Sequence, residues 1–157
     1  MKYWLTALSL CALAALRWLM PVQGTDVAQL QPVELVAFSM ENGTILMETD
    51  TGDRGTGPSL KAAAANLTET AQGHIFLETV NYVLLEESAQ ALLSEIVQSH
   101  IRPSTLVLRC EGEVDLEQAA EFLAVHTPQT TLWDWKLNPD PLEVLGEEEG
   151  RLYLETR

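Results

Sequence analysis

From residue 32 onward the hydrophobic positions follow two rhythms. "PVELVAFSM", residues 32–40, alternates and is rich in β-prone side chains, the pattern of a strand with one buried face. "ENG" is a turn signal, and "TILMETD", residues 44–50, reads as the returning strand, so residues 33–50 are predicted to form a hairpin. "LKAAAANLTETA" then places Leu60, Ala63, Ala64 and Leu67 at helical spacing, with Ser59 set to cap the helix. "HIFLETVNYVLLEE", residues 74–87, reads mainly as strand. "SAQALLSEIVQSHI" repeats apolar residues at Ala89, Leu92, Leu93, Ile96 and Val97, an amphipathic helix that Pro103 stops.

"STLVLRCEG" is a further strand, rich in branched side chains. In "VDLEQAAEFLAVH", Asp115 stands in cap position with Gln118 three residues on, and Leu116, Ala119, Ala120 and Leu123 form an apolar face. After Pro128, "TTLWDWKL" reads as a strand, and "NPDPLEVLGEEEG" as a turn region with one helical turn at 141–145. "RLYLETR" alternates and is expected to close the sheet as an edge. The order β-β-α-β-α-β-α predicts an α/β fold. It is a mixed β-sheet of four to six strands flanked by three helices, in a single domain over residues 33–157.

The first 24 residues are of another kind. Lys2 supplies a positive start, residues 3–16 carry no charge, and Val22, Gln23 and Gly24 offer a cleavage site before Thr25. Residues 3–20 also approach the length of a membrane span, with Trp4 and Trp18 at its two ends. Residues 1–24 are therefore expected to be either a secretory signal or an uncleaved anchor. In both cases the remainder lies outside the cytoplasm, with polar residues 25–32 as a tether.

Two of the nine basic residues, Lys2 and Arg17, fall in this leader, which has no acid; the rest of the chain carries seven bases against 23 acids, a net −16. So negative a surface repels phosphate backbones and makes nucleic acid an unsuitable partner. Past the leader only Cys110 remains, so no internal disulfide is expected there and the fold rests on its core. Cys110 sits in a strand-like run and is expected to be a buried apolar residue.

"TGDRGTGP", residues 51–58, raises the question of a phosphate-binding loop. Its Gly55-Thr56-Gly57 is followed by Pro58, which has no N–H to offer an anion; Lys61 lies a turn inside the helix, and Asp53 adds repulsion. The segment is expected to be a strand-to-helix loop, with Arg54, Gly55 and Gly57 as candidate contacts to a partner. Trp133 and Trp135 would share one side of a strand and are candidates for the same role, or for core. His74, His100 and His126 lack zinc spacing, and the serines lack a nucleophile elbow. Glu111, Glu113 and Asp115 form the densest carboxylate group near a strand end, where a cap with solvated charge, a calcium site or a carboxylate hydrolase all fit the residues. No cofactor or metal is expected, nor any catalytic machinery.

The middle of the chain resembles the N-terminal domain of the Ger(x)C family, the C subunits of spore germinant receptors in endospore-forming bacteria. The stretches that carry the resemblance are residues 57–63, 75–87, 89–96 and 105–112, with the leading hairpin and the helix at 115–123 in matching order. It covers roughly residues 33–127, leaving a C-terminal extension. The resemblance implies a membrane-associated, extracytoplasmic protein that works by contact with other subunits, in germination or sporulation. The residues alone also admit an extracytoplasmic small-ligand sensor, with its ligand near Gly112 and Glu113, and a small secreted hydrolase.

Overall fold

A computed structural model describes residues 30–139 and 141–155. The expected signal or anchor at 1–24 and most of the tether lie outside the described residues. The strands are β1 (Leu30–Gln31), β2 (Leu35–Glu41), β3 (Thr44–Thr49), β4 (Arg54–Gly57), β5 (His74–Ile75), β6 (Tyr82–Glu86), β7 (Leu106–Glu111), β8 (Val144–Glu148) and β9 (Arg151–Glu155). The helices are α1 (Leu60–Thr70), α2 (Leu93–Ile96), α3 (Leu116–Val125) and α4 (Leu132–Leu137). Seven strands form one mixed sheet in the order β4-β3-β2-β6-β7-β8-β9, and β1 pairs with β5 in a separate parallel pair. The central strands β2, β6, β7 and β8 run parallel, while β3 and β4 on one side and β9 on the other are antiparallel to their neighbours.

The alternation of the parallel strands sends side chains to two cores. Val36, Phe38, Val83, Leu85 and Val107 face Leu60, Ala63 and Leu67 of α1, Leu93 and Ile96 of α2, and Leu132 of α4. Leu35, Tyr82, Leu84, Leu108 and Leu145 face the other way and meet Ala119, Ala120 and Leu123 of α3. One face of the sheet thus carries three helices and the other only one. Tyr82 fastens that single helix: its hydroxyl donates to the Leu123 carbonyl at 3.1 Å inside the core.

The α/β class, the hairpin, both helix caps and the closing edge strand follow the sequence pattern. Ser59 Oγ accepts from Ala62 N at 3.3 Å, and Asp115 Oδ1 accepts from Glu117 N and Gln118 N. The sheet is larger than the expected four to six strands, and four α-helices replace three. The glycine-rich loop is a strand: Arg54–Gly57 pairs with β3, because residues without a Cβ let β4 lie directly against α1. Residues 74–87 are strand only at their two ends, with a 3₁₀ turn at Leu77–Thr79 between them. The expected helix after residue 88 is a 3₁₀ segment, Glu87–Leu92, followed by a single α-turn, α2. Its buried positions fall three apart, Ala89 to Leu92 and Leu93 to Ile96, a spacing that serves a three-residue turn as well as an α-helix.

"LWDWKL" is a helix, not a strand, because Thr131 and Asp134 form a reciprocal capping box and Leu132 and Trp135 turn to the core at helical spacing. The helical turn expected at 141–145 is replaced by β8, which lies between β7 and β9 with Val144 and Leu145 fully buried. The end of the expected tether, Leu30–Gln31, pairs with β5.

Candidate functional site

Although α3 packs on Leu35 of β2 and Tyr82 of β6 as well as on β7 and β8, the same face is open over β4, β3, Ala37 of β2 and the carboxyl ends of β6 and β7. The opening is a trough of about 950 Å³. Its floor is apolar and made by Ala37, Leu46 and Leu84 from three neighbouring strands. Its far wall is the segment that leaves β7 and enters α3: Gly112, with φ of +84°, turns the chain so that Glu113 and Val114 border the opening. The trough therefore sits at the carboxyl ends of two parallel strands, where open α/β sheets place their ligands.

Eight acidic side chains line it against two arginines, Arg54 and Arg109. Arg54 is already paired, its guanidinium holding Glu48 Oε1 at 2.5 and 2.8 Å. Glu86, the last residue of β6, is the electrostatic centre. Burial raises its carboxyl above the ordinary value, and the charges of Glu113 and Glu48 raise it further, while a hydrogen bond with Ser88 lowers it. Beside it, burial and then the Glu86 charge push the Cys110 thiol up to about 11, so at neutral pH this sulfur is a protonated thiol rather than a nucleophile. Cys110 is a free, buried cysteine, as its strand-like run suggested.

Of the five residues singled out from sequence as candidate contacts, Arg54 alone lines the trough. Gly55 and Gly57 are buried beneath α1. Trp133 and Trp135 do not share a strand face: Trp133 is half exposed with Lys136 Nζ 5.7 Å from its ring centre, whereas Trp135 packs against the core. The acidic group near residue 113 has two roles. Glu111, Glu113 and Asp115 all border the trough, and Asp115 is at the same time occupied as the α3 cap, with Gln118 Nε2 on its second oxygen at 3.3 Å. Of the histidines, His126 closes α3, its ring stacked on Phe122 at 4.2 Å and Nδ1 3.1 Å from the Phe122 carbonyl. Among the described residues no three His, Cys, Asp or Glu side chains are grouped to hold a metal ion, and no helix is long and apolar enough to cross a membrane.

Sequence reading missed the floor and the Glu48 and Glu86 rim. The signal was present in the second rhythm of the hairpin: Ala37, Leu46 and Glu48 occupy the alternate positions that do not face the main core. No protein-family model, no curated protein and no solved structure matches this chain.

Proposed function

We propose that the chain is a non-enzymatic protein-interaction domain, exported to the outer face of a membrane and akin to the first domain of a germinant-receptor C subunit, and that a basic segment of a neighbouring extracytoplasmic protein lies in the trough. The observation that supports this reading is the half-covered sheet: an apolar floor ringed by acids that repel one another and gain by a cationic occupant. An extended or helical segment bearing Lys or Arg on one side and an aliphatic residue on the other would satisfy both the rim and the floor. Such contacts favour recognition and association rate, and weaken as salt rises.

A second reading, a sensor of a small cationic ligand, has one feature in its favour. The trough has the size of small-molecule pockets and stands at the strand ends. Titrating the full chain with a Lys- and Leu-containing peptide, and separately with spermidine, distinguishes the two. The protein reading expects saturable, salt-sensitive peptide binding that Glu86→Lys abolishes, and only weak spermidine binding. Tight spermidine binding with no preference for the peptide would favour the sensor. Peptide binding that Glu86→Lys leaves unchanged would remove the trough from the account.

A further inference from the structure

The two edges of the seven-stranded sheet are treated differently. At the β4 edge two of the outward backbone groups are already taken: Thr56 N donates to Asn66 Oδ1 at 2.9 Å, and the Arg54 carbonyl accepts from Thr70 Oγ1 at 2.8 Å. Both caps come from α1, which lies beside this edge and blunts it against further pairing. At the β9 edge no described residue pairs with the strand.

The groups that β9 offers can be read from its turn. Glu149 and Gly150, both with positive φ, make a two-residue hairpin between β8 and β9. Such a turn makes Glu148 and Arg151 a hydrogen-bonded pair, and alternate pairs inherit the pattern, so Tyr153 and Glu155 also turn their backbone groups toward β8. Leu152 and Leu154 are left with N–H and C=O directed outward. Their side chains are fixed by partial burial against the core beneath α3. Tyr153 is fixed as well, since its ring lies over Gly146, where any Cβ would collide with it.

We propose that β9 pairs antiparallel with β9 of a second copy of this chain across a two-fold axis at Tyr153, joining two sheets into one. Hydrogen-bonded pairs then form between Leu152 and Leu154 of opposite copies, and Tyr153 faces its equivalent in a non-hydrogen-bonded pair. This register places Arg151 of each copy directly across from Glu155 of the other, on one face of the sheet. The strand is self-complementary in both shape and charge, as an isologous contact requires. The alternatives centred on Leu152 or Leu154 lose this double ion pairing. The proposal is independent of what occupies the trough, which lies toward the opposite edge.

The test is disulfide trapping in the full chain, held in mild detergent, with Cys11→Ser and Cys110→Ala as background. Tyr153→Cys brings two thiols to cross-strand distance and is expected to give an oxidised dimer. Thr56→Cys, at the capped edge, is expected to stay monomeric. Added to Tyr153→Cys, Arg151→Glu alone and Glu155→Arg alone should each lose the dimer, and the two together should restore it. Restoration by the double reversal also shows that the singles failed by charge and not by misfolding. Equal trapping at Thr56→Cys, or trapping indifferent to all the charge reversals, would overturn the proposal.

Discussion

Gly57 lies so close to α1 that a Cβ placed on it would come within 2.5 Å of the Ala63 amide nitrogen. Gly55, two residues earlier on the same face, would meet the Leu67 nitrogen at the same distance. The "GTG" of the sequence is thus a packing seam between a strand and an alanine-rich helix. Gly57→Ala and Gly55→Ala should each cost about 3 kcal/mol, since backbone rather than a pliable side chain must move aside. Gly52→Ala, at φ +83° in open space, should cost only about 1 kcal/mol of conformational strain. Urea unfolding of the three variants tests the ranking; equal losses would contradict it.

How far the sequence reached is shown by this same segment. Glycine and proline read as loop signals, because their usual message is a broken element; only the three-dimensional approach of α1 turns two glycines into strand residues. The hairpin was legible because its alternation and its Asn42-Gly43 turn agree, and the turn does adopt positive φ at both residues. Strands β2, β3, β6 and β7 and the caps at Ser59 and Asp115 were legible for a like reason, local pattern and local chemistry agreeing. "LWDWKL" misled because two tryptophans carry strand propensity, while the deciding group was the aspartate that completes a capping box with Thr131. The trough was the least legible part. It arises from a helix that is missing over half a sheet face, and no single residue signals the extent of a neighbour.

The attachment of α3 rests on two polar contacts that can be removed singly. Tyr82→Phe deletes the buried bond to the Leu123 carbonyl and should cost about 1 kcal/mol or somewhat more, the carbonyl being left without its partner. Asp115→Ala deletes the helix cap and should also cost about 1 kcal/mol. The two sites bracket the helix at opposite ends, so the double variant should be close to additive in denaturant unfolding. A loss at Asp115 of several kcal/mol would mean that its carboxylate has a role beyond the cap.

The crowding of acids at Glu86 has a pH signature. The folded state holds the Glu86 proton to a pH above the ordinary value of 4.5, so between that value and the raised one it binds more protons than the unfolded chain. Stability contributed by this group therefore falls as pH rises through that window, and the loss persists at neutral pH. Glu86→Gln should match the parent near pH 4 and exceed it at pH 7. Solvent screening at the half-open rim limits the gain to a few tenths of a kcal/mol. Melting curves across this range give the answer; an advantage that shrinks toward pH 7 would reverse the assignment.

Cys110 offers a probe of the same wall. Its thiol, buried and raised to about 11, should react slowly with a thiol reagent at pH 8 in the native state and fully in urea. With Cys11→Ser to remove the chain's other thiol, a spectrophotometric thiol assay reads Cys110 alone. Glu86→Gln should speed the native reaction slightly by lifting the second of the two causes. Fast native labelling in the parent would show that the wall between β7 and α3 opens readily.

The claim that most needs testing is that the uncovered half of the sheet is the binding face. Amide hydrogen exchange of the full chain, with and without a saturating Lys- and Leu-containing peptide, locates the contact directly. Slower exchange is expected at residues 46–54 and 110–117, with α1 and α4 on the opposite face unchanged. Protection confined to those two helices, or no protection anywhere at saturation, would contradict the account.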